Sequence, residues 1–478
     1  MSISQTSPRT TTSRGRSPSE GGTGPRDSLL WRDMNRNERP AARKEHLMFT
    51  PVSEHTERSP DIVAGERPRS RLTVLVLRAA LLVQGVALAV IVGIDGSQPW
   101  QVARVMLVVG VTLAAVWLLG AGGRVTRGAV ALVLGLVGTV VGVGIGVMHV
   151  THDTVDMTAI AGLVALSTGL LMLGFGAVAL VRALPGWWKL LAVPVALALL
   201  LFVLYPLPNA LYATNVPRPA LGAATPTEHG LAFKDAEFVT VDGLTLSGWY
   251  VPSSNGAAVV LLHGASSTRT SVLDHAAVLA ENGYGVLLFD ARGHGQSGGT
   301  AMDFGWYGDL DIAAAFSYLE SRPEVDPARL GAVGMSMGGE QVVGAAATDT
   351  RIRAVVAEGA TGRGFADKGW LPTHWRGWIQ RGIDATLFGT ADLLTDASPP
   401  ISLRDAVAEA APTPVLLIAA GAAMGNAEED ADRWIQAGSP DTVDLWVVPD
   451  TGHTAALRTQ PEQWEAKVIG FLDAALLR

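Results

Sequence analysis

Five apolar stretches lie between residues 72 and 207, running roughly Leu72–Ile94, Val102–Ala121, Gly128–Met148, Thr158–Val181 and Trp187–Leu207. Each is close to the ~20 residues that an α-helix needs to cross a bilayer. In hydrocarbon every backbone polar group must be satisfied internally, so such a region folds as helices. The competing reading, five buried helices in one soluble core, fits poorly with short polar loops recurring after each stretch. Charged residues make up only 17% of the 478-residue chain, against about 25% for soluble domains. Arg78 and Gln84 fall inside the first stretch, with Arg78 close enough to its start to snorkel toward the near surface. The third stretch carries Gly138, Gly142 and Gly146 at four-residue spacing. That spacing lets two helix backbones approach closely, although a Gly- and Ala-rich composition produces it as well. The five stretches hold no paired carboxylates and no run of charges, so nothing in them resembles a proton relay or an ion site.

Basic residues set the expected orientation. Arg67, Arg69 and Arg71 precede the first stretch, Arg124 and Arg127 follow the second, and Arg182 follows the fourth. The loops after the first and third stretches contain no Lys or Arg. By the positive-inside rule the N-terminus is expected to be cytoplasmic. Five crossings then place the C-terminal half outside the cytoplasm, in an integral protein of the cell membrane. Residues 1–70 are rich in Ser, Thr, Pro, Gly and Arg without apolar periodicity, and are expected to form a disordered cytoplasmic tail. The transmembrane region is expected over 71–207, a Pro-rich connector over 208–236 acting as a semi-rigid spacer, and one domain over 237–478.

That last domain reads as α/β. Glu237–Val241 and Leu244–Val251 alternate around Asp242-Gly243, the signature of a hairpin. Short continuous apolar runs follow: Ala257–Leu262, Gly285–Phe289, Leu330–Val333, Ile352–Ala357, Val415–Ala419 and Asp444–Val448. Helical segments separate them. Such runs mark strands buried on both faces, hence a doubly wound, mostly parallel sheet. Ligands of such sheets bind beyond the carboxyl ends of the strands.

The chemistry-bearing residues fall at those ends. Leu330–Val333 leads into Gly334-Met335-Ser336-Met337-Gly338, a Gly-x-Ser-x-Gly nucleophile elbow between a strand and a helix. Ser336 is the candidate nucleophile. Ala257–Leu262 leads into His263-Gly264-Ala265-Ser266. The amide of Ala265 (or Ser266) and that of Met337 are the candidate oxyanion hole. His263 reads as a structural histidine that packs the turn. Gly285–Phe289 leads into Asp290-Ala291-Arg292-Gly293-His294-Gly295-Gln296-Ser297.

With these motifs in this order, residues 237–478 resemble an α/β-hydrolase of the serine aminopeptidase and esterase-like branch. The resemblance implies a structural role for the Asp-x-Arg-Gly loop, so that His294 is not the base. It places the catalytic base at His453, in Gly452-His453 after the final strand. It also implies an acid three residues after the glycine that ends the next-to-last strand, where this chain has Met424. Glu358, at the end of the preceding strand, is the favoured replacement. Glu428 is the alternative, at the start of the next helix with Glu429 and Asp430. The interval of about 360–410 is expected to form a lid. Trp370, Trp375 and Trp378 within it are candidates to line an apolar substrate pocket, or else to pack the lid's own core.

The function expected is a membrane-anchored serine hydrolase cleaving an ester or amide of a small apolar acyl substrate through an acyl-enzyme. Two alternatives remain: a serine peptidase acting on short peptides, and a catalytically silent binding domain. The expected partners are the lipid bilayer and a small ester or short peptide. The net charge of −8 argues against nucleic acid. The absence of cysteine removes disulfides, thiolate-held metals and a thiol nucleophile. No cofactor or metal is expected.

Overall fold

The computed structural model describes residues 68–94, 100–152, 155–215, 219–421 and 426–478. The expected disordered tail lies almost wholly outside them, as does Met424.

Among the described residues, the N-terminal half holds five helices that are long and apolar enough to cross a membrane. The first two are α1 (Pro68–Ile94) and α2 (Trp100–Ala121). They are followed by α3 (Arg124–Thr151), α4 (Met157–Ala183) and α5 (Gly186–Asn215). Helix α3 widens into a π-helical turn over Gly142–Val147. The glycine spacing has a partner: a Cβ on Gly142 would lie 2.5 Å from the Leu166 backbone nitrogen, and one on Gly146 would lie 2.5 Å from the Gly162 carbonyl carbon. Backbones of α3 and α4 therefore touch along this seam. The Arg78 guanidinium lies against Gly120 in the last turn of α2, and its Nε donates to the Val116 carbonyl of α2 at 3.0 Å. Gln84, almost wholly buried, donates to the Leu134 carbonyl at 2.8 Å.

Helix α5 continues past the boundary expected at Leu207. Its last segment, Pro206–Asn215, is regular α-helix. Pro206 and Pro208 fall in the first turn of that segment, where a missing N–H costs little. The connector is therefore helical at its start rather than an extended spacer.

The C-terminal half is built on one eight-stranded sheet of order β1-β2-β4-β3-β5-β6-β7-β8. Its strands are β1 (Lys234–Val239), β2 (Thr245–Val251), β3 (Ala258–Leu262), β4 (Gly285–Phe289), β5 (Leu330–Met335), β6 (Val355–Glu358), β7 (Val415–Ala420) and β8 (Val443–Val448). The β1–β2 hairpin is antiparallel and β2 joins β4 antiparallel; every later pairing is parallel. Alternate side chains supply the two cores. Val260 and Leu262 point into one cluster and Val259 and Leu261 into the other, all fully buried. Burial of each such side chain contributes about 1.5–3 kcal/mol before entropy is counted, so neither face of the central strands can be left open. One face is covered by α6 (Leu273–Glu281) and α13 (Pro461–Leu476), through Leu273, Ala276, Trp464 and Leu472. The other is covered by α7 (Gly308–Glu320), α8 (Met337–Ala346), α10 (Leu403–Ala410) and α11 (Ala427–Gln436), through Phe316, Val343, Val407 and Ile435. The interval between β6 and β7 also holds the long helix α9 (Trp375–Leu394). A short helix α12 (Ala456–Thr459) follows the loop after β8.

Candidate active site

Register puts the ends of β5, β6 and β7 side by side: Met335 pairs with Glu358, and Glu358 with Ile418. Ser336 follows immediately, at φ 53° and ψ −121°, a conformation that a non-glycine residue holds only when its surroundings enforce it. Those surroundings are crowded. A Cβ on Gly334 would sit 2.3 Å from the Gly338 carbonyl oxygen, and one on Gly338 would sit 2.5 Å from the carbonyl oxygens of Leu262 and His263. This is the physical reason for glycine on both sides of the serine. Helix α8 begins at Met337, directly after Ser336, so the positive end of its dipole lies beside the nucleophile position.

His453, 117 positions away in sequence, meets that hydroxyl with Nε2 2.8 Å from Oγ. Its Nδ1 lies 2.8 Å from Oε2 of Glu428. Glu428 is fully buried, and its other oxygen accepts the Ala420 amide at 2.8 Å. The hydrogen bond to Glu428 raises the His453 pKa above the ordinary imidazole value, partly opposed by burial and helped by the charges of Glu340 and Glu358. The order along the chain, serine then acid then histidine, is that of α/β-hydrolase sites.

Glu358, the favoured acid in the sequence reading, is engaged elsewhere. Its oxygens accept the Ala456 amide at 2.9 Å and the Trp464 indole N–H at 3.0 Å. It anchors the chain just beyond His453 to the sheet, and burial pushes its carboxyl pKa up. The difference in placement has a geometric cause. Helix α11 starts close enough to the end of β7 for its first turn to return Glu428 against the Ala420 amide, so the carboxylate that meets His453 Nδ1 comes from the helix and not from a strand end.

The oxyanion candidates separate cleanly. The Ser266 amide donates to Nε2 of His294 at 3.3 Å, whereas no described residue accepts from the amides of Ala265 or Met337. Gly264 holds this loop against the elbow, its position for a Cβ being only 3.2 Å from the Ser336 Cβ. His263 is fully buried. Its Nδ1 donates to the Gly264 carbonyl at 2.7 Å and its Nε2 accepts the Ala291 amide at 3.0 Å. Burial drives its pKa down to about 3, so it is a neutral turn-packing group. Asp290 is a loop anchor, accepting the Arg269 and Gln296 amides at 2.8 and 2.9 Å.

The three tryptophans do not join this cluster. Trp375 and Trp378 are 66% and 65% exposed. Arg376 and Arg381 lie over their rings, and the Trp378 indole donates to the Thr373 carbonyl. The Trp370 indole N–H is buried without a described partner.

Two contributors escaped the sequence reading. Gly359, at φ +74°, leaves room for the imidazole: a Cβ there would be 2.7 Å from Cε1 of His453. Tyr212 of α5 hydrogen-bonds Ser266 Oγ and, at 3.2 Å, Nε2 of His152. Nδ1 of His152 donates to the Met148 carbonyl at 2.9 Å, so Nε2 accepts from the Tyr212 hydroxyl. No motif marks either residue. The only signal for Tyr212 is the pair of prolines that opens the last helical segment of α5. Among the described residues no group of acidic or histidine side chains is arranged to hold a metal ion.

This sheet order, elbow and loop arrangement define the α/β-hydrolase fold, and the C-terminal half of the chain has that fold. Residues 253–393 match the family model described as serine aminopeptidase, S33. That match covers the elbow and the Asp-x-Arg-Gly loop but ends before Glu428 and His453. A thiohydrolase of Aspergillus aculeatus is 36% identical over 134 residues, which is 26% of this chain and 41% of that protein. A polyketide transferase of a Penicillium species is 33% identical over 140 residues, or 27% and 46% of the two chains. The chain thus spans under half the length of these curated relatives. Among solved structures, an esterase of Pyrococcus furiosus is 26% identical, with 55% of this chain and 98% of that one covered and a TM-score of 0.45.

Proposed function

We propose that this protein is a membrane-anchored serine hydrolase acting on an ester, thioester or amide of an apolar acyl group. One observation carries the reading: Ser336, His453 and Glu428 are joined by two 2.8 Å hydrogen bonds at the end of the central strands. His453 Nε2 takes the Ser336 proton as Oγ attacks the carbonyl carbon. Glu428 holds Nδ1–H, which fixes the tautomer and offsets the imidazolium charge. The amides of Ala265 and Met337 receive the oxyanion. His453 returns the proton to the leaving group, and water activated by the same imidazole releases the acid. The thioester is included because a thiohydrolase is among the relatives. The five long apolar helices and the alternation of arginine-bearing loops support an integral membrane protein with a cytoplasmic N-terminus and an extracytoplasmic hydrolase domain. Labelling of the full-length protein by a fluorophosphonate probe tests the chemistry. Labelling lost in Ser336→Ala supports it; an unlabelled, folded wild type favours the silent binding domain instead. Protease added to spheroplasts tests the orientation, since digestion of the N-terminal tail with the hydrolase domain protected would reverse it.

A further inference from the structure

A cavity of about 630 Å³ lies where the helical bundle meets the hydrolase domain. Ile91 of α1 with Val141 and Ile145 of α3 form one wall, near the ends of these helices remote from Arg124 and Arg182. Leu211 of α5 and Leu393 of α9 form the other. Arg104, Asp396, Thr214, Asn215 and Thr300 line it as well, so the cavity joins aliphatic walls to a polar share of similar extent, a lining that suits an amphiphile with an apolar chain and a polar head. Its size suits a single ligand of drug or lipid-chain dimensions.

Two features tie this cavity to the reaction centre. Leu211 is the immediate neighbour of Tyr212, whose hydroxyl bonds Ser266, next to the oxyanion amide of Ala265. One helical segment therefore faces the cavity with one residue and the oxyanion loop with the next. Helix α9 rests directly on α5: a Cβ on Gly382 would come within 2.8 Å of the Phe202 ring. At its far end Leu393 is 86% exposed, leaving a large apolar side chain open where the bundle would enter the bilayer.

We propose that the cavity binds the acyl chain of a lipid ester dissolved in the outer leaflet, and that such lipid esters are the substrates of the Ser336 site. This rests on the serine hydrolase reading above. Ile91 and Ile145 pack in one buried cluster, so the chain would enter past the exposed Leu393 and lie along the aliphatic walls, bringing its carbonyl toward the oxyanion loop beside Tyr212. Oγ of Ser336 then bonds to the carbonyl carbon, the bond from that carbon to the alcohol oxygen breaks, and the alcohol leaves with the proton carried by His453. Water cleaves the acyl-enzyme and releases a fatty acid that can return to the leaflet.

The test uses the full-length protein in phosphatidylcholine nanodiscs with two probes: a fluorogenic palmitoyl ester dissolved in the bilayer and water-soluble p-nitrophenyl acetate. Ile145→Trp and Leu211→Trp fill the cavity from opposite walls, and Leu113→Trp, at an exposed position of α2, is the control. The ratio of palmitoyl to acetate kcat/KM is expected to fall by about tenfold or more in both cavity variants and to hold in the control, since pocket shape discriminates acyl groups on that scale. An unchanged ratio in Ile145→Trp overturns the proposal even if Leu211→Trp, so near Tyr212, loses all activity. Wild-type protein that takes the fluorophosphonate probe and cleaves the acetate but not the palmitoyl ester overturns this inference alone. Protein that does neither overturns the hydrolase reading with it.

Discussion

Replacing Glu428 by Gln isolates one hydrogen atom. Oε1 of Glu428 accepts the Ala420 amide at 2.8 Å, and only the amide oxygen of glutamine can take its place. The NH2 group is then forced toward His453 Nδ1, which lies 2.8 Å from Oε2 in the native site. A donor facing Nδ1 makes that nitrogen an acceptor and moves the imidazole proton to Nε2. In that tautomer Nε2 cannot accept the Ser336 proton, and the imidazolium loses its counter-charge. The corresponding change in a serine protease triad costs about 10⁴ in kcat, and we expect a loss of roughly that size. Glu358→Gln works on different partners. Glutamine has one acceptor oxygen for two donors, the Ala456 amide and the Trp464 indole. One buried donor is left unpaired, at about 1–3 kcal/mol, which in a domain of this size lowers the melting temperature by about 3–10 °C. The fall in kcat should be only a few-fold. Steady-state hydrolysis of one soluble ester and a thermal melt, run on both variants in the same detergent, separate the two roles. If Glu358→Gln abolishes turnover while Glu428→Gln keeps it, the assignment of the acid is refuted.

Ser336→Ala should eliminate turnover and probe labelling while leaving the melting temperature nearly unchanged, and residual covalent labelling would disprove the nucleophile. Gly359→Ala should cut kcat by tenfold or more, because a methyl group would need the space of Cε1 at a positive φ that alanine disfavours; unaltered kinetics would show that the imidazole is not confined there. Since Glu428 raises the His453 pKa and the neutral imidazole is the base, kcat/KM should rise with pH to a midpoint above the ordinary value of about 6.5. A midpoint below that value in a pH–rate profile would contradict the arrangement. Asp432 is fully buried without a described partner, and burial, then Glu428 and Glu340, push its pKa well up. A carboxyl raised on folding costs stability as pH climbs past its unfolded value of about 3.9. Asp432→Asn should therefore melt higher than wild type near neutral pH, with a smaller margin in acid; an equal or lower melting temperature at neutral pH would show that the buried carboxyl is paired.

The α/β architecture was legible because its strands are buried on both faces. A run such as Gly285–Phe289 has no solvent side to interrupt it, so the strand is visible as an unbroken apolar word. The elbow was legible for a similar reason: Gly334 and Gly338 are excluded from carrying side chains by atoms within 2.5 Å, and that constraint is written locally. The acid was not. Glu358 and Glu428 both follow strands at the same edge of the sheet, and only the position of the Ala420 amide relative to the start of α11 decides between them. A distance across a loop has no sequence period. Tyr212 escaped because its partners, Ser266 and His152, lie on separate parts of the chain, and because Pro208 read as the start of the connector when it lies in the first turn of the last helical segment. For the tryptophans the spacing was legible and the surroundings were not. Trp375 and Trp378 share a face as their spacing requires, but that face points to solvent.

The glycine seam of the bundle sets unequal limits on how this sequence can drift. Gly110 of α2 and Gly174 of α4 have nothing within 4 Å of the place where a side chain would begin, so alanine or a larger residue can arise there without moving a helix. Gly142 and Gly146 face the backbone of α4 itself, which has no rotamer to change. A methyl group at either would have to part the two helices near Ile145, widening the gap that this residue lines. Among related sequences the first pair should wander freely through Ala, Ser and Val, while the seam stays glycine even where every apolar neighbour has been exchanged. An alignment that shows the reverse would mean that α3 and α4 meet along a different line.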